Sequence, residues 1–271
     1  MGQRPGQRAY GVGLRVYRHY RWFSSPERMR MRATVRRWIR GCPDRGRVLE
    51  VGGGTSALRP VIEREVQGVR YLSGDISPTD NTSVVLDALA LPVRDGSLDA
   101  VLALEVLEHV PRPSQLLAEA ARVLAPDGIL VITTPFMFGV HDFRDYFRYT
   151  PLGFSSLLDP AGLEVTEVVL RGGTFVSVVG LLRALIRNGI LGDPEDWRAR
   201  GARKKVMWAL VTVLEMPWVP FMWLALGLDR TLDRHSKSPP GYFFLCRKST
   251  RGVVDHQLHD PLPSVAASRC L

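Results

Sequence analysis

With 271 residues, 45% of them hydrophobic, the chain has the material for one full α/β core and too few apolar side chains to be wholly membrane-embedded. The net charge of +9 is unevenly placed: residues 1–47 carry thirteen arginines against Glu27 and Asp44, so the rest of the chain is slightly acidic. Three cysteines (Cys42, Cys246, Cys270) show no metal-ligand spacing and no even disulfide framework, and the charged N-terminal stretch lacks an apolar signal core; a reduced, cytoplasmic protein is expected.

In chain order, residues 26–40 (PERMRMRATVRRWIR) read as a basic amphipathic helix with Met29, Val35, Trp38 and Ile39 as its buried face. Such an arm suits an acidic partner (nucleic acid, an anionic membrane surface or a phosphorylated substrate), or is simply a solvated helix face. Strands follow at Arg47–Val51, Val69–Ser73, Ser83–Leu86, Leu98–Leu104 and Ile129–Thr134, with helices at Ala57–Val66 and Pro113–Leu124. Repeated β-α-β of this kind implies a parallel sheet covered on both faces. Thr150-Pro151 is a helix-start signal, Thr150 as N-cap and Pro151 in the first turn. A sixth strand is read at Glu164–Leu170 and a seventh only at Tyr242–Arg247.

Between those two strands lies an apolar insertion. Val206–Leu228 is long enough to span a bilayer as a helix, but Glu215 sits mid-run and Pro217 and Pro220 would break it. A charge at the bilayer centre costs about 2.5–3.5 kcal/mol, so an interfacial hairpin fits better than a span. Phe175–Leu191, with Arg183 and Arg187, is likewise amphipathic. A helical lid or a homodimer contact is the alternative, and the tail beyond Ser249 reads as polar and disordered.

Chemistry concentrates at the carboxyl ends of the strands. Val48-Leu49-Glu50-Val51-Gly52-Gly53-Gly54-Thr55-Ser56 carries a buried strand into a glycine turn and a helix, where the backbone can approach a ligand closely. Read as Gly52-x-Gly54-x-x-Ala57, with Asp75 about twenty residues on, it also satisfies a dinucleotide fingerprint, so an NAD enzyme has to be weighed. Asp87-Ala88-Leu89-Ala90-Leu91-Pro92 follows the third strand. Leu104-Glu105-Val106-Leu107-Glu108-His109-Val110 follows the fourth, and Glu119–Gly128 forms a helix ending at Gly128 before the fifth.

Taken in order, these segments resemble the class I S-adenosylmethionine-dependent methyltransferases of the UbiE/type 11 kind, over about Arg47–Gly173 and Tyr242–Lys248. The resemblance implies a Rossmann-like α/β fold, a seven-stranded sheet whose last strand is antiparallel and lies beside the fifth. It implies S-adenosylmethionine as cofactor, with Glu50 organising the turn and Gly52, Gly53 and Gly54 carrying the backbone past it. Asp75 would take the ribose hydroxyls and Ile76 the adenine face, Asp87 and Ala88 the adenine edge, and Leu104 would underlie the methionine portion. The expected organisation is a basic helical arm (1–45), a methyltransferase domain (46–171 and 239–249), the apolar helical insertion (172–238) and the tail (250–271). Three departures stand out: Ser56 at the usual third glycine, Pro126-Asp127-Gly128 for a Pro-Gly-Gly turn, and a helix after Asp75 reduced to Ser77–Asp80, which opens the adenine side.

For the acceptor, the stretch Thr134–Thr150 follows the fifth strand on the edge where open α/β sheets bind ligands. Within the family, a similar His … Asp-Tyr-Phe-Arg-Tyr-Thr stretch accompanies assembly of cell-surface polysaccharides or glycolipids. His141 is the first choice as general base and His109 the second, with Asp145 to orient a histidine or bind sugar hydroxyls. Tyr146, Arg148 and Tyr149 are expected to line the acceptor pocket, Arg148 facing a phosphate or carboxylate. The expected activity is O- or N-methylation of a small-molecule, glycan or glycolipid acceptor, with no metal, on a protein peripheral to the inner membrane face. An RNA methyltransferase using the arginine-rich arm and a non-catalytic membrane-associated scaffold are the alternatives. The arm lacks a recognised RNA-binding module, which weighs against nucleic acid.

Overall fold

A computed structural model describes residues 26–54, 58–79, 82–140, 144–191, 217–233 and 236–249. The chain forms two compact units, one comprising 31–171 and 238–271, the other 1–30 and 172–237.

The larger unit is built on a seven-stranded sheet of order β3-β2-β1-β4-β5-β7-β6. Its strands are β1 (Arg47–Val51), β2 (Arg70–Asp75), β3 (Val84–Val85), β4 (Leu98–Leu104), β5 (Leu124–Pro135), β6 (Leu163–Leu170) and β7 (Gly241–Lys248). β1 to β5 run parallel, and β7 lies antiparallel between β5 and β6. The last strand therefore lies beside the fifth, as the resemblance implies. β1 and β4 are buried along nearly their whole length, as expected for central strands covered on both faces. The strand order reverses between β1 and β4, which opens a crevice at their carboxyl ends.

Helices α2 (Arg59–Glu65), α3 (Pro113–Val123) and α4 (Pro151–Leu158) complete this unit, together with the last residues of α1 (Pro26–Ile39). Thr150 caps α4, its hydroxyl accepting the Gly153 N–H at 3.1 Å, as its Thr-Pro sequence predicts. Phe154 of α4 stacks on Phe244 of β7 with ring centroids 4.1 Å apart, in the centre of the core. One boundary differs from expectation. α3 ends at Val123 and β5 starts at once, so the Pro126-Asp127-Gly128 turn is an irregularity inside a strand and not a helix end. A Cβ on Gly128 would lie 2.9 Å from the Leu124 side chain and 3.1 Å from the Leu98 carbonyl, which explains the glycine.

On α1, Val35, Trp38 and Ile39 are buried as predicted, but Met29 is only half-buried and Arg30 is buried in its place. The helix is less free than its composition suggests. Arg36 and Arg40 pair with Glu65, Arg37 pairs with Glu167, and the Trp38 indole N–H donates to Glu167 at 2.7 Å.

In the smaller unit, α5 (Thr174–Leu191) packs against α6 (Trp218–Leu232) through Val176, Met222, Ala225 and Leu226. Asp229 is buried and accepts the N–H groups of Gly173, Phe175 and Val176 at 2.6, 2.8 and 3.2 Å, so α6 caps the start of α5. Among the described residues, no helix is long and apolar enough to cross a membrane. The first half of the Val206–Leu228 run lies outside the described residues.

Candidate functional site

The site is assembled at the carboxyl ends of β1, β2, β4 and β5. As β1 ends, Gly52 adopts φ +69°, and a Cβ there would sit 2.4 Å from Val106. Gly53 donates to the Gly74 carbonyl at 3.0 Å, and a Cβ on it would meet the Ser73 hydroxyl at 2.2 Å. These two positions need glycine for space, and Gly52 for conformation as well. Gly54 then donates its N–H to Asp75 Oδ2 at 3.1 Å, so turn and carboxylate are held together.

Asp75 ends β2, and its other oxygen accepts the Ser77 N–H at 3.0 Å. A carboxylate has about four acceptor directions, so those two bonds leave capacity for a vicinal diol. Ile76 beside it is 65% exposed, suited to cover a planar base. Residues 76–79 are non-helical, as the shortened spacing predicts, and the Thr79 hydroxyl donates to the Gly54 carbonyl at 2.8 Å. Asp87 is exposed and accepts the Leu89 N–H at 2.8 Å, with Ala88 half-buried next to it. The Leu86 N–H donates to the Asp75 carbonyl at 2.9 Å, tying the two acidic segments together.

Glu50 is 6% exposed and accepts a hydrogen bond from the Tyr71 hydroxyl. Burial pushes its carboxyl up to about 7, against the opposing pull of the tyrosine. Leu104 is half-buried at the end of β4, opposite Thr133. The glycine turn, Glu50, Asp75, Asp87 and Leu104 thus gather along one sheet edge.

The segment after β4 holds what sequence reasoning passed over. Glu105 sits at φ +56°, a conformation few non-glycine residues adopt. Its N–H donates to the Thr133 hydroxyl at 3.0 Å. That hydroxyl donates to Glu105 Oε1 at 2.7 Å, and Arg171 donates to Oε2 at 2.7 Å. Glu108 is fully buried, and neither carboxylate oxygen has a hydrogen-bond partner among the described residues. Burial first, then the nearby Glu105, pushes its carboxyl up to about 8. The Glu-x-x-Glu-His run was the available signal, but nothing local to it foretells burial.

His109 is partly exposed. Its Nδ1 lies 3.0 Å from the Arg144 carbonyl and its Nε2 lies 3.8 Å from Glu108 Oε1. His141, the first choice as base, lies outside the described residues. The Asp145 side chain is buried in a two-pronged pair with Arg148. The same guanidinium donates to the carbonyls of Gly139 at 3.1 Å and Phe147 at 2.9 Å. Against the expected acceptor roles, the structure shows the Arg148 guanidinium bonded to Asp145 and to loop carbonyls. Tyr149 is also reassigned, since it is 6% exposed and packs on Phe154 in the core. Tyr146 is half-exposed, as an acceptor-lining residue should be, and its N–H donates to the Glu108 carbonyl at 2.8 Å.

Asp75 and Glu105 are the partly exposed acids of this edge, and Arg171 offsets part of it, whereas Glu50 and Glu108 are buried with their carboxyls pushed up. Among the described residues, no group of histidines, cysteines and acids could hold a metal ion.

Comparison with known proteins bears on the fold that carries this edge. The profile of a methyltransferase-domain family matches residues 49–132. An uncharacterized methyltransferase of Mycobacterium avium is 37% identical over 98 residues, 32% of this chain and 38% of that protein. The 2-methyl-6-phytyl-1,4-hydroquinone methyltransferase of Synechocystis is 27% identical over 210 residues, 67% of this chain and 64% of that one. A Haemonchus contortus phosphoethanolamine N-methyltransferase, solved with S-adenosylhomocysteine and phosphomonomethylethanolamine, shares the fold. It has TM-score 0.51 and 15% identity over 82% of this chain and 53% of that one. The chain thus spans under two fifths of the first curated relatives it matches.

Proposed function

We propose that the chain is a class I methyltransferase that transfers a methyl group from S-adenosylmethionine to an amphiphilic small-molecule, glycan or glycolipid acceptor, a reading supported by the methyltransferase-domain profile over residues 49–132 and by the fold. The observation that carries the reading is the union of a Cβ-free glycine cradle with an acidic strand edge. That union fits a nucleoside ligand, and the methyltransferase-domain profile over residues 49–132 favours S-adenosylmethionine over the NAD alternative. The orphaned Ser73 hydroxyl beside Gly53 is a further buried polar atom at this cradle.

In this reading the bound cofactor supplies an electrophilic methyl group on a sulfonium sulfur. Gly52–Gly54 let the backbone pass close to it, Asp75 accepts from the ribose hydroxyls, and Asp87 with Ala88 addresses the adenine edge. Leu104 and Glu50 lie on the methionine side. The acceptor must be aligned in line with the methyl group and lose a proton, and we assign its removal to His109, partly exposed on the segment after β4. His141 remains the other base candidate.

The acceptor's apolar part is inferred from the stretch after β5. Met137, Phe138, Val140, Tyr146 and Phe147 are all more than a third exposed, which is unusual for large side chains on one stretch of chain. The phytyl-bearing hydroquinone named for the Synechocystis relative is an acceptor of this general kind. Peripheral membrane association belongs to the same reading. α5 exposes Val178, Leu181, Leu182 and Leu185 at helical spacing, and α6 exposes Phe221, Trp223 and Leu224. The RNA reading is weakened because Arg36, Arg37 and Arg40 already pair with acids of the protein.

Calorimetric titration with S-adenosylmethionine, S-adenosylhomocysteine and NAD tests the cofactor assignment. Binding of the first two and not the third is expected; binding of NAD alone overturns the reading.

A further inference from the structure

Two neighbouring strands leave the sheet at the switch point through left-handed residues. β1 is followed by Gly52 at φ +69°, and β4, which pairs with β1 as far as Val51 and Ala103, is followed by Glu105 at φ +56°. Glycine takes that conformation freely, whereas a residue with a Cβ holds it only where its surroundings over-determine it. Those of Glu105 do. Its N–H donates to the Thr133 hydroxyl at 3.0 Å and to the Thr133 carbonyl at 3.2 Å. The same hydroxyl donates back to Glu105 Oε1 at 2.7 Å, and the Arg171 guanidinium donates to Oε2 at 2.7 Å.

The tie to Arg171 is a long one. β6, which ends one residue before Arg171, is separated from β4 by β7 and β5, so three strand intervals of about 4.8 Å each lie between them. Both side chains must extend to meet. Gly241, at the start of β7, lets the arginine cross: a Cβ there would lie 2.7 Å from Arg171 Cδ and 3.1 Å from its Nη1. The Arg171 N–H is fixed as well, donating to the Gly241 carbonyl at 3.0 Å. On the other side of Glu105, the next residue reaches the glycine turn. Val106 Cγ2 fills the space that a Cβ on Gly52 would need, 2.4 Å from where that Cβ would lie. Glu105 therefore stands between anchors on β5 and β6 and a side chain seated on the turn that the methyl-donor reading gives to the cofactor.

We infer, resting on that reading, that Glu105 is a positioning residue for the methyl donor. Pinned by Thr133 and Arg171, its side chain fixes the left-handed backbone that seats Val106 on Gly52, and so holds the glycine turn in its binding shape. Glu105 acts through its own backbone and through Val106. Its carboxylate is spent on the anchors.

Glu105→Ala and Glu105→Gly both remove the carboxylate but differ in what the left-handed conformation costs them, so comparing the two separates positioning from direct contact with the ligand. The experiment is calorimetry of the full chain with S-adenosylhomocysteine at pH 7, with unfolding curves on the same samples to confirm the fold. Glu105→Ala should bind at least ~10-fold more weakly than the wild type, because the unanchored residue leaves the left-handed region and the binding-competent fraction falls. Glu105→Gly should stay within about threefold of the wild type. Thr133→Val and Arg171→Gln, which remove the anchors, should each weaken binding about three- to tenfold in the wild-type chain and add nothing in Glu105→Gly. These anchor variants decide the matter should Glu105→Ala fail to fold. Equal losses in Glu105→Ala and Glu105→Gly, unchanged affinity in Glu105→Ala, or anchor variants that weaken binding as much in Glu105→Gly as in the wild type overturn the inference. If the wild-type chain itself does not bind S-adenosylhomocysteine, the methyl-donor reading fails and this one falls with it.

Discussion

Asp75 and Glu50 are both acids beside the glycine turn, yet their surroundings give them different behaviour. Asp75 is partly exposed and accepts two backbone N–H donors, which leaves its remaining acceptor positions open. Asp75→Ala should lower affinity for S-adenosylmethionine at least ~100-fold in calorimetry, the loss expected when two charge-assisted hydrogen bonds go. Unchanged affinity would refute the ribose assignment. Glu50 is buried, and its carboxyl rises from 4.5 to about 7. Since the folded state binds this proton more tightly than the unfolded chain, the stabilisation is complete below about pH 4.5 and is lost as pH rises through about 7. That contribution is on the order of 3 kcal/mol. In urea unfolding at pH 5 and pH 8, the fall in stability should be smaller in Glu50→Gln than in the wild type by roughly 1–3 kcal/mol. An identical fall in both would show that Glu50 does not titrate in this range.

At the scale of elements, the glycine turn and the start of α5 are the two places where backbone geometry is most constrained. Gly53→Ala puts a methyl group 2.2 Å from the Ser73 hydroxyl and 3.0 Å from Glu50. It should cost about 1–3 kcal/mol in denaturant unfolding and abolish cofactor binding, because the strand end has no room to shift. Asp229→Ala removes the acceptor for three N–H groups at the start of α5. It should destabilise the smaller unit by about 2–4 kcal/mol while leaving S-adenosylmethionine binding in place. Both expectations are checked by measuring unfolding and ligand titration on the same samples. The Thr-Pro start of α4 was legible in sequence because capping is local, within three residues. The end of α3 was misplaced at Gly128 because a strand irregularity and a helix C-terminus use the same residue, and only the pairing of β4 with β5 tells them apart.

For the whole molecule, the charge asymmetry loses part of its apparent meaning. Residues 1–47 read as a free basic arm, but Arg36, Arg37 and Arg40 meet Glu65 and Glu167 in the fold. Membrane attachment should therefore depend on the exposed apolar side chains of α5 and α6 more than on charge. Flotation with anionic liposomes should survive 0.5 M salt and fall severalfold in a Leu182→Ser, Leu185→Ser, Leu224→Ser variant. Attachment that disappears with salt and ignores those substitutions would return the role to the arginines.

The order of strands, the glycine turn, Asp75 and Asp87 could be read from the chain because each is a local pattern: an apolar run, a turn residue, an acid at a strand end. Their convergence on one edge follows from right-handed parallel connections, which leave few other arrangements. Tertiary structure alone decided which of the polar residues further on are buried or paired. Arg148 and Tyr149 look like acceptor ligands in sequence, yet one is pinned by Asp145 and the other lies in the core. Glu108 has no local signal of burial, yet the stretch from Arg144 to Tyr149 folds against its segment through the Tyr146 N–H on the Glu108 carbonyl and the Arg144 carbonyl on His109. Burial depends on what the rest of the chain brings, and that contact spans some thirty-five residues. No local pattern encodes a contact of that range.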